Sequence, residues 1–409
     1  MTTPTDHDPA AALASVRHEF GEHGGVNLSI ETSSTFTVLE AGTMPEMFQG
    51  MRGPDVGGCY LYGRHFNPTV LVLARQLAAM EACESAYCTG SGMAAISAVI
   101  LQCCNAGEHV VASNTLYGGT WAFLNDFLPA KANITTTFVD TQDEDAVKSA
   151  FQSGTRVLYV ETISNPTLRV PDLARLADLA HAHDARLVVD NTFAPLVVTP
   201  RLHGADVVIH SLTKFINGAS DLVAGAVCAD RAFIDELFDL HTGALMLLGP
   251  TLDPRGAYEI AMRLPHLPIR MREHAARAAT FAQRLSDRGL PACYPGLADH
   301  PDHEQLSRIS NPGFGAGGLL TVDLGTTEKA NAFMEHLQNQ EGFGYMAVSL
   351  GYAETLLSCP AASTSSELDD ASLGDAGILP GLVRISVGYT GSLEQRWGQL
   401  ERSLEAVGL

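Results

Sequence analysis

Between residues 108 and 229, six short runs rich in valine, isoleucine and threonine alternate with segments whose leucines and alanines recur at helical spacing. The runs are "EHVVAS", "ITTTFVD", "RVLYVE", "RLVVD", "ADVVIHS" and "LVAGAVCA", and "VPDLARLADLAHAHDA" is typical of what separates them. Such alternation predicts an α/β fold. Parallel neighbours need a long crossover, the crossover helices cover both sheet faces, and the sheet is therefore mostly parallel.

The flanks differ in texture. Residues 1–66 are rich in Gly, Thr, Ser and Pro and show little periodicity after one short helical stretch, which predicts an extended N-terminal arm. Residues 67–260 carry the alternating pattern. Residues 261–409 open with the amphipathic "IRMREHAARAATFAQRLSDRG" and continue through "GGLLTVDL", "EKANAFMEHLQ" and "LVRISVGY", the pattern of a smaller α+β domain. Residues 358–377, "SCPAASTSSELDDASLGDAG", read as a loop.

Acidic residues outnumber basic ones by 46 to 25. That balance disfavours nucleic acid and anionic membranes as partners, which attract clustered Lys and Arg. The start of the chain lacks a basic, apolar leader, so a cytoplasmic location is expected. Eight cysteines without regular spacing read as reduced, mostly buried thiols.

In an open α/β sheet, ligands bind beyond the carboxyl ends of the strands. Here "RLVVD" ends in Asp190, and "ADVVIHS" ends in Ser211, with Thr213 and Lys214 just after it. A lysine near hydroxyls and opposite a carboxylate suits a Schiff base to pyridoxal 5'-phosphate: the amine takes the aldehyde, the hydroxyls hold phosphate, and the carboxylate keeps the pyridine nitrogen protonated. The segment "TGSGMAAISAV" adds a glycine-flanked turn opening a helix, where the backbone N–H groups of Gly92 and Met93 favour an anion. Tyr117, in "SNTLYGGTWAFL", offers an aromatic face and a proton for a leaving group.

Other clusters carry less. "HAHD" (181–184) and "DHPDHE" (299–304) lack zinc-site spacing and read as solvated surface. His210 and Cys88 read as packing residues, and "NPGFGAGG" (311–318) as the lead-in to a strand.

The ordered segments "YGRHFNPT", "SGMAAI", "TLYGGT", "ETISNPT", "VVDNTFAP", "HSLTKFINGASDLVAG", "MAVSLG" and "GLVRISVG" resemble the Cys/Met-metabolism pyridoxal-phosphate enzymes, the cystathionine γ-synthase-like family. The resemblance runs from about residue 57 to the C-terminus. It implies a fold-type I enzyme whose large domain holds a seven-stranded sheet. It implies that Lys214 bonds the cofactor, Asp190 pairs with its ring nitrogen, Ser211, Thr213 and the Gly92 and Met93 amides hold phosphate, and Asn165 lies near the ring hydroxyl. It further implies that Tyr62 and Arg64 of the arm reach the phosphate of a neighbouring subunit in a homotetramer, a dimer of dimers. Arg384 would anchor the substrate α-carboxylate, supported by Ser349.

The likeness runs deepest to the plant-type methionine γ-lyase branch, and Val348 stands where cystathionine lyases commonly place a glutamate. These features imply a sulfur amino-acid substrate and α,γ-elimination of L-methionine to methanethiol, 2-oxobutanoate and ammonia. The alternatives are γ-replacement, as in O-acylhomoserine sulfhydrylase or cystathionine γ-synthase, and cystathionine γ-lyase chemistry. Gly119 occupies the position where microbial methionine γ-lyases have a cysteine.

Overall fold

The computed structural model describes residues 7–18, 21, 23–56, 58–363, 373–374 and 377–409. A seven-stranded sheet runs in the order β1-β7-β6-β5-β4-β2-β3. Its strands are β1 (Ser85–Thr89), β2 (His109–Ser113), β3 (Thr135–Val139), β4 (Thr155–Glu161), β5 (Arg186–Asp190), β6 (Val207–Ser211) and β7 (Gly225–Ala229). All six runs in the sequence are strands. Five of them, β2 to β6, pair in parallel, while β7 pairs antiparallel with both β6 and β1. The extra strand, β1, is "SAYCT", which periodicity leaves inside a polar turn between two helices. Five residues are too few to show a period, and β1 is held by its ladder to β7.

Alternate residues of the strands feed two cores. Leu158, Val160, Leu187, Val189 and Val208 face one side, packed with helix Pro68–Met80 and helix Leu173–Ala182. Val157, Tyr159, Val188, Val207 and Ile209 face the other, with helix Gly92–Cys103. Burial on both faces is why these strands read as nearly continuous apolar runs, and each such side chain contributes about 1.5–3 kcal/mol when fully buried. Cys88 and Cys228 sit in the first of these cores.

A second sheet of five strands has the order β10-β11-β12-β9-β8. These are β8 (Ala292–Cys293), β9 (Leu319–Asp323), β10 (Tyr345–Met346), β11 (Leu356–Ser358) and β12 (Leu382–Ser386), backed by helices Leu267–Asp287, Thr327–Asn339 and Leu393–Ala406. "NPGFGAGG" does lead into β9. The loop expected at 358–377 lies partly outside the described residues, while its first residue, Ser358, completes β11.

The segment "DHPDHE" departs from the solvated reading. His300 and Asp302 are buried, and Asp302 takes Arg169 Nε at 2.7 Å and the Val170 N–H at 3.0 Å, tying the loop after β4 to the C-terminal part of the chain. His181 does lie at an exposed helix end, where it pairs with Asp206. No described helix is long and apolar enough to cross a membrane.

Candidate active site

Three parallel neighbours, β4, β5 and β6, end side by side in Glu161, Asp190 and Ser211. Beyond their carboxyl ends opens a cavity of about 280 Å³. Its lining brings together Gly92, Met93, Tyr117, Asn165, Asp190, Ser211, Thr213, Lys214, Val348 and Arg384, residues drawn from across three hundred positions of sequence.

Lys214 follows β6 in a tight turn, its N–H donating to Ser211 O at 3.2 Å and its carbonyl accepting from Gly218 N at 2.8 Å. Its Nζ donates to Ser349 Oγ at 2.9 Å. Burial and the Arg384 guanidinium pull the amine down from its ordinary 10.5 to about 8. Ser349 is brought there by the loop between β10 and β11. Gly351, at φ +76°, lies so close to the Lys214–Phe215 backbone that a Cβ would stand 2.5 Å from Phe215 N, and its own N–H donates to Ser386 Oγ on β12. Only glycine gives the loop both that conformation and that approach.

Arg384, on β12, is 2% exposed. It donates from Nη1 to Asn165 Oδ1 at 2.8 Å and from Nη2 to Ser349 O at 3.3 Å. Burial pushes the guanidinium down to about 10, still charged at neutral pH. A buried cation whose fork is only partly engaged is suited to a carboxylate.

Asp190 accepts the Thr192 N–H at Oδ1 (2.9 Å) and the Tyr159 hydroxyl at Oδ2 (3.3 Å). Burial raises its carboxyl against the lowering effect of those bonds and of His210. His210, expected to pack, is buried and also makes a polar contact, with Nε2 2.7 Å from Glu81 Oε1.

At the other end of the cavity, helix Gly92–Cys103 starts against Ser211. A Cβ on Gly92 would stand 2.8 Å from Ser211 Cβ, so the residue must be glycine for the two elements to meet. Ser91 caps Ala94 N, and the N–H groups of Gly92 and Met93 precede the first intrahelical bond. Thr213 Oγ1 exchanges hydrogen bonds with the Ala224 backbone. Tyr117 rests on Gly119, whose missing Cβ would fall 2.6 Å from the tyrosine ring, so a side chain there would displace the ring.

These residues fit pyridoxal 5'-phosphate. An amine held near neutrality, a buried carboxylate, a helix N-terminus beside two hydroxyls, and an aromatic ring surround a space shaped by Gly92. The arm residues are elsewhere. Tyr62 and Arg64 do not line the cavity, and Arg64 Nη1 donates to Met246 O of its own chain at 2.8 Å.

Glu161, the first residue of "ETISNPT", is a further residue of the site. Both its oxygens are engaged: Oε1 accepts Tyr117 N at 2.8 Å and Oε2 accepts Asn165 N at 2.9 Å. Burial and the neighbouring Asp190 carboxylate hold its carboxyl well above the usual range. The strand-end rule that singles out Asp190 on β5 applies equally to the glutamate closing "RVLYVE".

A family model described as Cys/Met metabolism PLP-dependent enzyme matches residues 11–394. The chain is 56% identical over 97% of its length to methionine γ-lyase of Arabidopsis thaliana, covering 90% of that protein. It is 39% identical over 85% of its length to L-methionine γ-lyase of Fusobacterium nucleatum subsp. polymorphum, covering 87% of that protein. Among solved structures it resembles cystathionine γ-lyase from Lactobacillus plantarum in complex with L-serine, with a TM-score of 0.86, 29% identity, and coverage of 98% of this chain and 99% of the other. The chain belongs to the Cys/Met-metabolism pyridoxal-phosphate enzymes.

Proposed function

We propose that this member of the Cys/Met-metabolism pyridoxal-phosphate family cleaves the Cγ–S bond of L-methionine, taking up one water and releasing methanethiol, 2-oxobutanoate and ammonia. Likeness to methionine γ-lyases places the reaction. The observation in the site that carries the substrate choice is two exposed apolar side chains in its lining: Val348, which adjoins Ser349 in the chain, and Val223, 66% and 61% exposed. Glu161, Asp190, Lys214 and Arg384, the charged residues of the lining, are each buried or half-buried. Such apolar side chains suit a methylthio group, whereas the distal amino-acid head of cystathionine would strand two charges against valine.

Bound through Lys214, with phosphate on Ser211, Thr213 and the Gly92 and Met93 amides, the cofactor supplies an electron sink that acidifies the substrate Cα and Cβ protons. Arg384 holds the substrate carboxylate, and Asn165 orients both Arg384 and the ring hydroxyl. Lys214 Nζ, once released, takes the Cα proton and works next at Cβ. Its low proton affinity keeps a useful neutral fraction near pH 7, and Ser349 Oγ, its hydrogen-bond partner, holds the amine on the Cα side. The Tyr117 hydroxyl passes a proton to the departing sulfur.

The arm belongs to the same reading. Tyr62 and Arg64 complete the phosphate site of a neighbouring protomer, in a cytoplasmic homotetramer. This is supported by the half-exposed Tyr62 and by the exposed arm side chains Val26, Leu39, Met51 and Val56, apolar surface that a partner would cover. The division into an arm (1–66), a cofactor domain (67–260) and a C-terminal domain (261–409) is proposed with it.

The test is product analysis of the pyridoxal-phosphate-loaded protein given methionine, cystathionine, cysteine, or O-acetylhomoserine with and without sulfide. Methanethiol with 2-oxobutanoate from methionine, faster than any other turnover, is expected. Homocysteine formed only from the acyl ester plus sulfide would replace this reading with a sulfhydrylase.

A further inference from the structure

Glu161 and Asp190 are register partners on the adjacent parallel strands β4 and β5, so their side chains leave the sheet on the same face. Asp190 has the ring nitrogen to bind. Glu161 sits beside it, 5% exposed, with each carboxylate oxygen taking one backbone N–H from a different loop. One loop carries Tyr117, the aromatic cover of the cavity. The other carries Asn165, whose side-chain oxygen holds Arg384, which in turn reaches Ser349 O, while Ser349 Oγ accepts from Lys214 Nζ.

Glu161 therefore joins the Tyr117 loop directly to the Asn165 loop. Strand β4 is rigid, with Val157, Leu158, Tyr159 and Val160 fully buried. Anchoring both loops to its last residue fixes the distance between the tyrosine and the carboxylate-binding guanidinium. Glutamate fits this task because its two acceptors sit on one planar group a full three bonds from the backbone. Aspartate is a methylene short, and glutamine has one acceptor where two donors arrive.

We infer that Glu161 is a positioning residue for substrate recognition: it bridges the Tyr117 and Asn165 backbones, and through Asn165 it sets the pose of Arg384 toward an amino-acid carboxylate. The inference rests on the amino-acid lyase reading, but it concerns binding of the α-carboxylate, which precedes any choice among γ-leaving groups.

The test uses the full-length holoenzyme and two variants, Glu161→Gln and Glu161→Asp. Glycine, which has no side chain to eliminate, is titrated by its perturbation of the cofactor's visible absorbance, and methionine turnover is measured in parallel. Both variants should keep bound cofactor and weaken glycine binding roughly 10- to 100-fold, the effect of stranding one buried donor. The methionine KM should rise by a similar factor, with kcat falling less. Aspartate keeps two oxygen acceptors but not the reach, so a wild-type glycine affinity in Glu161→Asp would overturn the inference. So would a lowered melting temperature with unchanged glycine affinity per bound cofactor, the mark of a purely structural role. If wild-type protein releases no methanethiol but both variants still lose glycine affinity, the positioning role stands and the methionine reading falls.

Discussion

The end of the β4–β6 sheet and the N-terminal arm both hold residues that the sequence motifs single out, yet the structure treats them oppositely. At the strand ends the polar side chains are buried or half-buried and bonded within the one chain: Lys214 to Ser349, Arg384 to Asn165, Asp190 to Thr192 and Tyr159. On the arm, Leu39 is fully exposed and Val26 is 84% exposed, and the Arg64 guanidinium meets a carbonyl and a sulfur of Met246 and the face of Tyr62. A site built on a rigid sheet has most of its hydrogen bonds set within one chain. An arm that buries little apolar surface gains its order from what it lies against.

The comparison is most exposed to failure at its centre. Lys214→Ala removes the cofactor's covalent anchor and the base together. Turnover should fall by more than roughly 10³-fold with loss of the visible cofactor band, and residual methanethiol release within tenfold of wild type would show that another amine does the work. Arg384→Lys keeps a charge but loses the fork and leaves Asn165 Oδ1 short of a donor. A loss of about 10²-fold in kcat/KM, mostly in KM, is expected, and an unchanged KM would place the substrate carboxylate elsewhere.

The arm is tested next. Arg64→Ala should weaken cofactor binding roughly tenfold. Mixing Arg64→Ala with Lys214→Ala subunits should raise activity above Arg64→Ala alone, since each mixed pair regains one site with an intact lysine and an intact arm. No gain on mixing, in protein shown to exchange subunits, would assign Arg64 to its own chain.

Smaller effects follow from proton affinities. Only the neutral form of Lys214 attaches the cofactor, and its value is lowered to about 8. The rate at which stripped protein reloads should therefore climb roughly tenfold from pH 7 to 9 and then level off, whereas continued growth beyond pH 10 would mean an ordinary lysine. His274, buried between Phe215 and Tyr389 with Nδ1 on Val387 O, is held down to about 4 by burial. The unfolded chain takes up this proton near pH 6.5 and the folded one does not. Its contribution to stability is thus intact above that pH and erodes as pH falls toward 4. Replacing His274 with phenylalanine should flatten the acid side of the melting profile, and an unaltered slope would exclude this histidine as its source.

Much of the large sheet was legible because parallel strands buried on both faces announce themselves as apolar runs. The edge strand β1 was not, since five residues supported by one antiparallel neighbour carry no period of their own. Asp190, Ser211 and Lys214 were legible because strand ends in such sheets face the ligand. Glu161 closes β4 in the same way, but a glutamate ending an apolar run does not by itself show that two loops will donate to it. Buried Asp302 was hidden because nothing local shows that Arg169, 133 residues earlier, will close over it.

The sequence alone determined the α/β alternation, the lysine and aspartate at adjacent strand ends and the glycine turn that opens the helix at Gly92, because each depends on periodicity or on residues within a few positions of one another. Tertiary structure alone decided that Ser349 would meet Lys214 across 135 residues and that Arg384 would meet Asn165 across 219. It also decided that Glu161 would gather two loops. Those contacts depend on how separate elements pack, and desolvation acts only once the packing has removed the water.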